Sequence, residues 1–325
     1  MTMDRYHRAL RETFTAYRRQ DFAGQPQAFE VRPTDGTQPT VFKATHEFRN
    51  VLAPPTATQR QVDEILSSIP DTERHRWFAS MGSSQALCQS VFGSLKAMGQ
   101  ISLLQGITAE GGMLAFFESA QEAPSLELES HVNTLNEPRQ TCIDAYFSGS
   151  HRIAVEVKFA EVRFGTCSRP RLTAKNPNFE RDHCNGTLTH QRSRQDRCSL
   201  TEQKIRYWQY VPQLFNWSAD SDAHPCPLAQ TYQLVRNLLA VSVNTDGTLN
   251  TNNAHLLVIY DNRNPAFEPG GTADVQWQLT VAALRFPNML RRLSWQRLTG
   301  HLAAHETLHW LVDGLRRKYG IIGQP

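Results

Sequence analysis

The spacing of apolar residues predicts helices in the first third of the chain and a mixture of strands and helices after it. Three N-terminal segments have apolar residues at helical intervals. These segments are residues 2–20, 58–69 and 83–98. Thr58 is placed to cap the second predicted helix, and Pro70 ends it. Ser83 or Ser84 is placed to cap the third.

The centre of the chain changes to an alternation of apolar and polar residues. This pattern predicts two strands, 142–147 and 152–159, joined by a turn at 148–151. The elements beyond them follow no regular strand–helix repeat. They are helices at about 200–215 and 228–241, a strand at 255–260, and helices from residue 291 onward. The mixture predicts an α/β fold of the mixed α+β kind.

The formal net charge is only +3, but the positive residues are concentrated in one region. Between Arg163 and Arg206 there are 10 Lys and Arg against 4 Asp and Glu, so this stretch carries a net charge of +6. Contact with a phosphate backbone requires such a basic surface, although a solvated loop has the same composition. No apolar run is long enough to span a bilayer, and the N-terminus does not resemble a secretory signal. We therefore predict a cytoplasmic protein without membrane contact.

The predicted hairpin brings charged residues together. Because strand residues two apart share a face, Glu156 and Lys158 point the same way. If the hairpin closes symmetrically about Ser150, Asp144 lies opposite Glu156, with about 5 Å between their Cβ atoms. Two such carboxylates repel unless a cation lies between them, and Mg²⁺ prefers hard oxygen ligands such as these and the Val157 carbonyl. In phosphodiester cleavage the ion would activate water, and Lys158 would hold that water and stabilise the transition state.

Asp144, followed after a turn by Glu156-Val157-Lys158, resembles the signature of the PD-(D/E)XK, or restriction-endonuclease-like, nuclease superfamily. The residue before the aspartate is Ile143, where the signature has proline. The resemblance covers about residues 126–240. It implies a restriction-endonuclease-like core, which is a mixed β-sheet flanked by helices, with helical elaborations at both ends. It also implies catalysis with Mg²⁺ or Mn²⁺.

The resemblance implies further site residues. Members often have an additional acid on the helix before the signature, for which Glu129 is the nearest candidate, with Glu127 and Glu118 as rivals. Gln233 and Arg236 resemble polar residues that meet the DNA backbone from the helix after the core. Three arginines of the basic stretch are expected to add backbone contacts. They are Arg163, Arg169 and Arg171. Glu161 is interpreted either as an acid that supports the site or as a surface residue.

We expect the chain to comprise a mainly helical N-terminal portion, a nuclease core that contains a basic, Cys-containing loop, and a C-terminal helical portion. These correspond to 1–120, 121–265 with the loop at 163–199, and 266–325. The implied function is metal-dependent hydrolysis of DNA in prokaryotic defence. An RNA substrate, a protein partner and self-association stay open. The main alternative is a non-catalytic nucleic-acid-binding module, in which Glu156 and Lys158 are solvated charges.

A second motif predicts different chemistry. The segment His305-Glu306-Thr307-Leu308-His309 matches the H-E-x-x-H pattern of zinc peptidases, which needs both imidazoles on one helical face. No His or Glu follows His309 to supply a third ligand, and Asp313 is a weak substitute. The alternative is an amphipathic C-terminal helix that happens to carry His301, His305 and His309.

The cysteines present a further choice. Cys167, Cys184 and Cys198, with His183 or His190, could hold a structural zinc ion that pins the basic loop. Because the three cysteines are spaced irregularly, 17 and 14 residues apart, and form no CxxC pair, unligated thiols are the other interpretation.

Overall fold

A computed structural model gives the structure of the chain over residues 1–31, 39–119, 124–175, 184, 198–217 and 226–324. Ten α-helices fall within the described residues. They are α1 (Met3–Asp21), α2 (Gln59–Ser67), α3 (Ser84–Cys88), α4 (Ser94–Ala97), α5 (Ser199–Glu202), α6 (Tyr207–Leu214), α7 (Leu228–Ser242), α8 (Thr272–Ala283), α9 (Trp295–Leu302) and α10 (His309–Tyr319). A π-helical turn, Gln89–Gly93, joins α3 to α4.

Capping residues begin the N-terminal helices where the sequence predicted. The Thr2 side chain accepts the Arg5 amide at the start of α1. Thr58 and Gln61 form a reciprocal capping box at the start of α2, in which each side chain satisfies the other's backbone amide. Ser83 caps α3 by accepting the Ala86 amide. These local hydrogen bonds satisfy amides that have no partner inside a helix.

Five strands form one mixed sheet in the order β1-β2-β3-β4-β5. Their bounds are Ser125–Val132, Thr141–Ser148, Arg152–Val157, Ala254–Tyr260 and Leu290–Ser294. The first three are antiparallel neighbours, while β3, β4 and β5 run parallel. Ala145 pairs with Val155 and Phe147 with Ile153, so the predicted hairpin register is confirmed. The mixed sheet flanked by helices confirms the predicted mixed α+β fold, which is compatible with a restriction-endonuclease-like core.

Helices cover both faces of the sheet, and the alternation of side chains along β4 shows how. Leu257 and Ile259 join a core that includes residues of α1, α3, α9 and α10. Leu256 and Val258 point to the other face and join a core that includes residues of α6, α7 and α8. Because both faces are buried, every residue of β4 is buried, as is typical of a central parallel strand.

Two predicted helices differ in the structure. The helix expected at 200–215 is divided into α5 and α6, because Lys204 has φ +64°, which ends a right-handed helix. The helices expected from residue 291 begin only at α9, because Leu290–Ser294 pairs with β4 as the edge strand β5. The expected C-terminal helical portion therefore supplies one strand of the sheet.

The H-E-x-x-H segment does not lie on one helix. His305 precedes a short 3-10 turn at Glu306–Leu308, and His309 is the first residue of α10. The interpretation of 301–309 as one amphipathic helix is therefore wrong, and the shared helical face that zinc-peptidase ligands need is missing. Within the described ranges, no helix is both long and apolar enough to cross a membrane.

Candidate active site

Asp144 lies where the pairing of β2 with β3 stops. The last paired residues are Ala145 and Val155, and the Asp144 Oδ2 atom accepts the Val157 amide at 2.7 Å. Continuing the register places Asp144 opposite Glu156, as the sequence predicted. The strands separate here because a side chain takes the amide that would otherwise continue the ladder.

The carboxylate of Glu156 is buried, with 4% of the residue exposed. Its Oε1 atom accepts the Gln233 amide at 2.7 Å and lies 2.8 Å from the Lys158 Nζ atom. Its Oε2 atom accepts the Asn237 amide at 2.5 Å. Burial of a carboxylate is costly without such compensation. Helix α7, which carries Gln233 and Asn237, therefore supports Glu156 directly.

Lys158 is the cation of the site and is 7% exposed. Besides its contact with Glu156, its Nζ atom donates to the Gln233 Oε1 atom at 3.1 Å. Burial acts to lower the pKa of Lys158, but the carboxylates of Glu156 and Glu161 outweigh it and raise that pKa. Its backbone carbonyl accepts the Trp295 indole N–H at 3.2 Å, which anchors the end of β3 to α9. Lys158 is therefore a fixed positive charge.

Glu129 lies in strand β1, so the expectation that it sits on a helix is wrong. The segment from Leu126 to Glu129 alternates apolar and acidic residues, which is the period of a strand. Because Leu128 pairs with Ala145 on β2, Glu129 falls opposite Asp144. Its φ of +48° is rare for a residue with a side chain.

Two groups hold the Glu129 carboxylate. The Gln85 amide donates to its Oε1 atom at 2.7 Å, and the Cys142 thiol donates to its Oε2 atom at 2.9 Å. Burial raises the pKa of Glu129, although these two hydrogen bonds act to lower it.

Glu129, Asp144 and Glu156 thus form a row of acids across three neighbouring strands. Burial, followed by the charges of Glu156 and Glu129, raises the pKa of Asp144 well above its ordinary value. No hydrogen bond reaches the Asp144 Oδ1 atom from the described part of the chain. A partly buried row of acids with a free oxygen is a donor set that fits a hard divalent cation.

Comparison with known proteins places the chain in a family. A sequence model of the family described as Restriction Endonuclease associating with ARP matches residues 17–320. The chain belongs to this family. No curated protein and no solved structure gives a significant match. The match extends over nearly the whole chain, including the hairpin that carries Asp144, Glu156 and Lys158.

Gln233 forms hydrogen bonds with both Glu156 and Lys158. Its Oε1 atom accepts from both Lys158 and the Gly165 amide, and its amide nitrogen donates to Glu156. Gln233 was expected at the DNA backbone, and the structure places it against the acid and the lysine. Asn237 was not predicted from the sequence, although a polar residue four positions after Gln233, within the apolar stretch of α7, marks the same helical face.

The predicted DNA-contacting arginines are mostly at the surface. Arg163, Arg169 and Arg171 are exposed. The Arg236 guanidinium instead packs 5.6 Å from the centroid of the Tyr232 ring. Much of the rest of the basic stretch lies outside the described residues.

A cleft of about 390 Å³ opens beside the acids. Its lining includes Gln85, which bonds Glu129, and Trp77, which is 58% exposed. It also includes Glu161, whose two oxygens accept the Phe159 amide and the Ser84 hydroxyl, both at 2.6 Å. Glu161 thus holds the chain just beyond Lys158.

A second group of ligand-type side chains adjoins Glu129. The ligand atoms of Glu73, His131 and Cys142 all lie within 4.8 Å of one another. The Glu73 Oε2 and His131 Nε2 atoms are 2.9 Å apart. Since Cys142 also bonds Glu129, this group touches the row of acids at its β1 end.

Proposed function

We propose that this chain is a metal-dependent endonuclease of the PD-(D/E)XK type that hydrolyses DNA phosphodiester bonds. The observation that carries the proposal is the convergence of Asp144, Glu156 and Lys158 where β2 and β3 separate. Membership in a restriction-endonuclease family, matched over residues 17–320, also supports a nuclease role.

Asp144 and Glu156, with the Val157 carbonyl, form the donor set that we assign to the ion, and Glu129 is the fourth candidate. Their fit rests on the raised pKa of Asp144 and on its free Oδ1 atom. When bound, Mg²⁺ or Mn²⁺ would polarise the scissile phosphate and activate the attacking water. The side chains fix where that chemistry takes place.

Lys158 is assigned to the water and to the developing negative charge on the phosphate. Its ammonium is held by Glu156 and Gln233, so it is positioned before the substrate arrives. Preorganised charge in a site that excludes water stabilises a transition state better than a mobile surface lysine does. Gln233 is assigned a positioning role, because it holds both Glu156 and Lys158.

Exposed arginines on the segment after β3 supply the affinity for DNA in this proposal. Arg163, Arg169 and Arg171 follow Lys158 in sequence and are exposed, and we assign them to the DNA backbone. Such contacts position a nucleic acid without reading its sequence. A role in defence against foreign DNA is part of the proposal through the family likeness alone.

The test is a cleavage assay with wild type, Glu156→Gln, Lys158→Ala and His305→Ala. Each protein is incubated with plasmid, single-stranded DNA and RNA, in Mg²⁺, in Mn²⁺ and in EDTA. We expect wild type and His305→Ala to cleave DNA only with a divalent ion. The rate of cleavage should fall by about 100-fold or more in Glu156→Gln and in Lys158→Ala.

Cleavage that survives Glu156→Gln would overturn the assignment of the site. If wild type shifts DNA on a gel but no condition gives cleavage, the non-catalytic binding module is the correct account. Loss of cleavage in His305→Ala alone would point instead to the C-terminal histidines.

A further inference from the structure

Four of the six cysteines line a single small cavity. Cys167, Cys184, Cys198 and Cys226 come from distant points of the sequence and surround a space of about 10 Å³. A space of this size holds about one water molecule. Leu200 and Leu228 also line it. The remaining cysteines, Cys88 and Cys142, lie elsewhere, beside the row of acids.

Backbone amides are aimed at three of these sulfur atoms, each from the residue two positions later. The Cys167 Sγ atom accepts the Arg169 amide at 3.4 Å. Burial raises the pKa of Cys198 and Cys226. The Leu200 and Thr201 amides act to lower the pKa of Cys198, and the Leu228 and Ala229 amides act to lower that of Cys226.

Amides arranged in this way indicate a function for the thiols. A neutral thiol is a weak acceptor, so such donors add little to an ordinary buried cysteine. A thiolate bound to a metal is stabilised by the same donors. Arg169 also lines the cavity and brings a positive charge to it. Burial nevertheless raises the pKa of Cys167, Cys198 and Cys226, so these sulfur atoms would become thiolates only with a bound cation to compensate.

We propose that Cys167, Cys184, Cys198 and Cys226 bind one Zn²⁺ ion as a structural site. Four sulfur ligands in a closed tetrahedral shell are typical of structural zinc. Cys226 supplies the fourth ligand, for which the sequence had offered His183 or His190, both outside the described residues. No three of the four sulfur atoms lie within 4.8 Å of one another among the described residues, so the ion must draw them toward zinc–sulfur distances of about 2.3 Å.

The site joins the segment after β3 to the start of α7. The Cys167 amide donates to the Ala229 carbonyl at 3.3 Å, and the Gly165 amide donates to the Gln233 side chain. Zinc held by Cys167 and Cys226 would fix this junction. Because α7 also carries the amides that hold Glu156, loss of zinc should loosen the active site from a distance.

The first test uses unmodified protein, produced in zinc-supplemented medium and purified without chelators. Elemental analysis should find one zinc per chain. Iodoacetamide labelling, mapped by mass spectrometry, should leave the four cavity cysteines protected until a strong zinc chelator is added. Cys88 and Cys142 serve as internal controls, because they lie outside the cavity and the chelator should change their labelling less than that of the four cavity cysteines. Absence of zinc, or labelling of the cavity cysteines that does not respond to chelator, would overturn the proposal.

The second test assigns the ligands. Cys226→Ser should lose the zinc, while the matched variant Cys142→Ser should keep it. Retention of zinc in Cys226→Ser would overturn the site. Loss in Cys142→Ser alone would also overturn it and would place the ion at Glu73, His131 and Cys142. Because these readouts are metal content and labelling, they remain valid if no DNA is cleaved.

Discussion

The Asp144 carboxylate accepts the Val157 amide at 2.7 Å, across the gap where β2 and β3 cease to pair. This hydrogen bond ends the pairing of the two strands, and it also fixes the orientation of the Asp144 carboxylate. Its second oxygen, which no described residue bonds, is left for another ligand. The cost is electrostatic, because Glu156 and Glu129 lie on either side of Asp144 in the sheet register.

Asp144→Asn should abolish cleavage and leave the fold at least as stable. Burial and the two neighbouring acids raise the pKa of Asp144, so an uncharged amide of the same shape removes repulsion and still accepts from Val157. Cleavage should fall by about 100-fold or more. Without divalent ions, each kcal/mol gained should raise Tm by about 2 °C in calorimetry.

Glu12→Gln is the control, since Glu12 is exposed on α1 and its replacement should change neither quantity. A Tm of Asp144→Asn well below that of wild type would show that the carboxylate stabilises the fold.

Gln233→Ala should reduce cleavage although Gln233 is assigned no part in bond breaking. The variant removes a hydrogen bond from Glu156 and another from Lys158. Losing such support for site residues typically costs about 10- to 100-fold in activity or metal affinity. Gln230→Ala, an exposed position on the same helix, is the matched control and should cleave normally. We expect the apparent Mg²⁺ affinity to weaken as well, and unchanged Mg²⁺ dependence would argue against a positioning role.

Charge-removing variants of the exposed arginines should weaken DNA binding in a salt-dependent manner. If each arginine binds one phosphate, Arg163→Ala, Arg169→Ala and Arg171→Ala should each reduce the slope of log K against log salt by about 0.9 on duplex DNA. Arg60→Ala is the control, because the Arg60 side chain is 84% exposed on α2, outside the basic stretch. Fluorescence anisotropy at several salt concentrations measures the slopes. Equal slopes for all four variants would place the DNA path elsewhere.

Acid should destabilise the protein through a pair of histidines, of which His255 is buried and His151 partly buried. The His151 Nε2 and His255 Nδ1 atoms are 2.7 Å apart. Burial, with the charge of Arg291, lowers the pKa of His151 to about 4 and that of His255 well below its ordinary value. The unfolded chain, with histidine pKa values of about 6.5, therefore takes up protons first as the pH falls. This contribution is fully present above about pH 6.5 and declines below it.

Calorimetry between pH 7 and about pH 4 should show the decline in Tm, with a smaller slope for His255→Gln, which cannot gain the proton. His309→Gln, at an exposed position, should follow the wild-type slope. Identical slopes for wild type and His255→Gln would exclude the pair as the source.

Local patterns in the sequence predicted much of the fold. The caps at Thr58 and Ser83 and the symmetric hairpin depend on neighbouring residues, so they can be deduced without the rest of the chain. Strand β1 is deducible too from the alternation around Glu129, although the family resemblance pointed to a helix there. Strand β5 is harder, because five residues with two arginines become a strand only through pairing with β4.

The candidate site was only partly predictable, for a related reason. Asp144, Glu156 and Lys158 lie on one hairpin, whose register can be derived. Asn237 and Cys226 reach their places through the docking of α7 on the sheet, which no local pattern specifies. Contacts between distant segments depend on packing of the whole core.

If Glu156 binds the proposed ion, its three hydrogen-bond and charge partners limit how readily that ion can bind. Both of its oxygens are engaged, so an arriving ion must displace or share at least one of these partners. Mg²⁺ keeps several waters and binds weakly where few carboxylates are offered, and it gains ligands when substrate phosphates are present. A resting enzyme built in this way would be slow to load its ion in the absence of DNA. The packing of α7 against Glu156 would then keep the site without its ion, and therefore inactive, until the substrate binds.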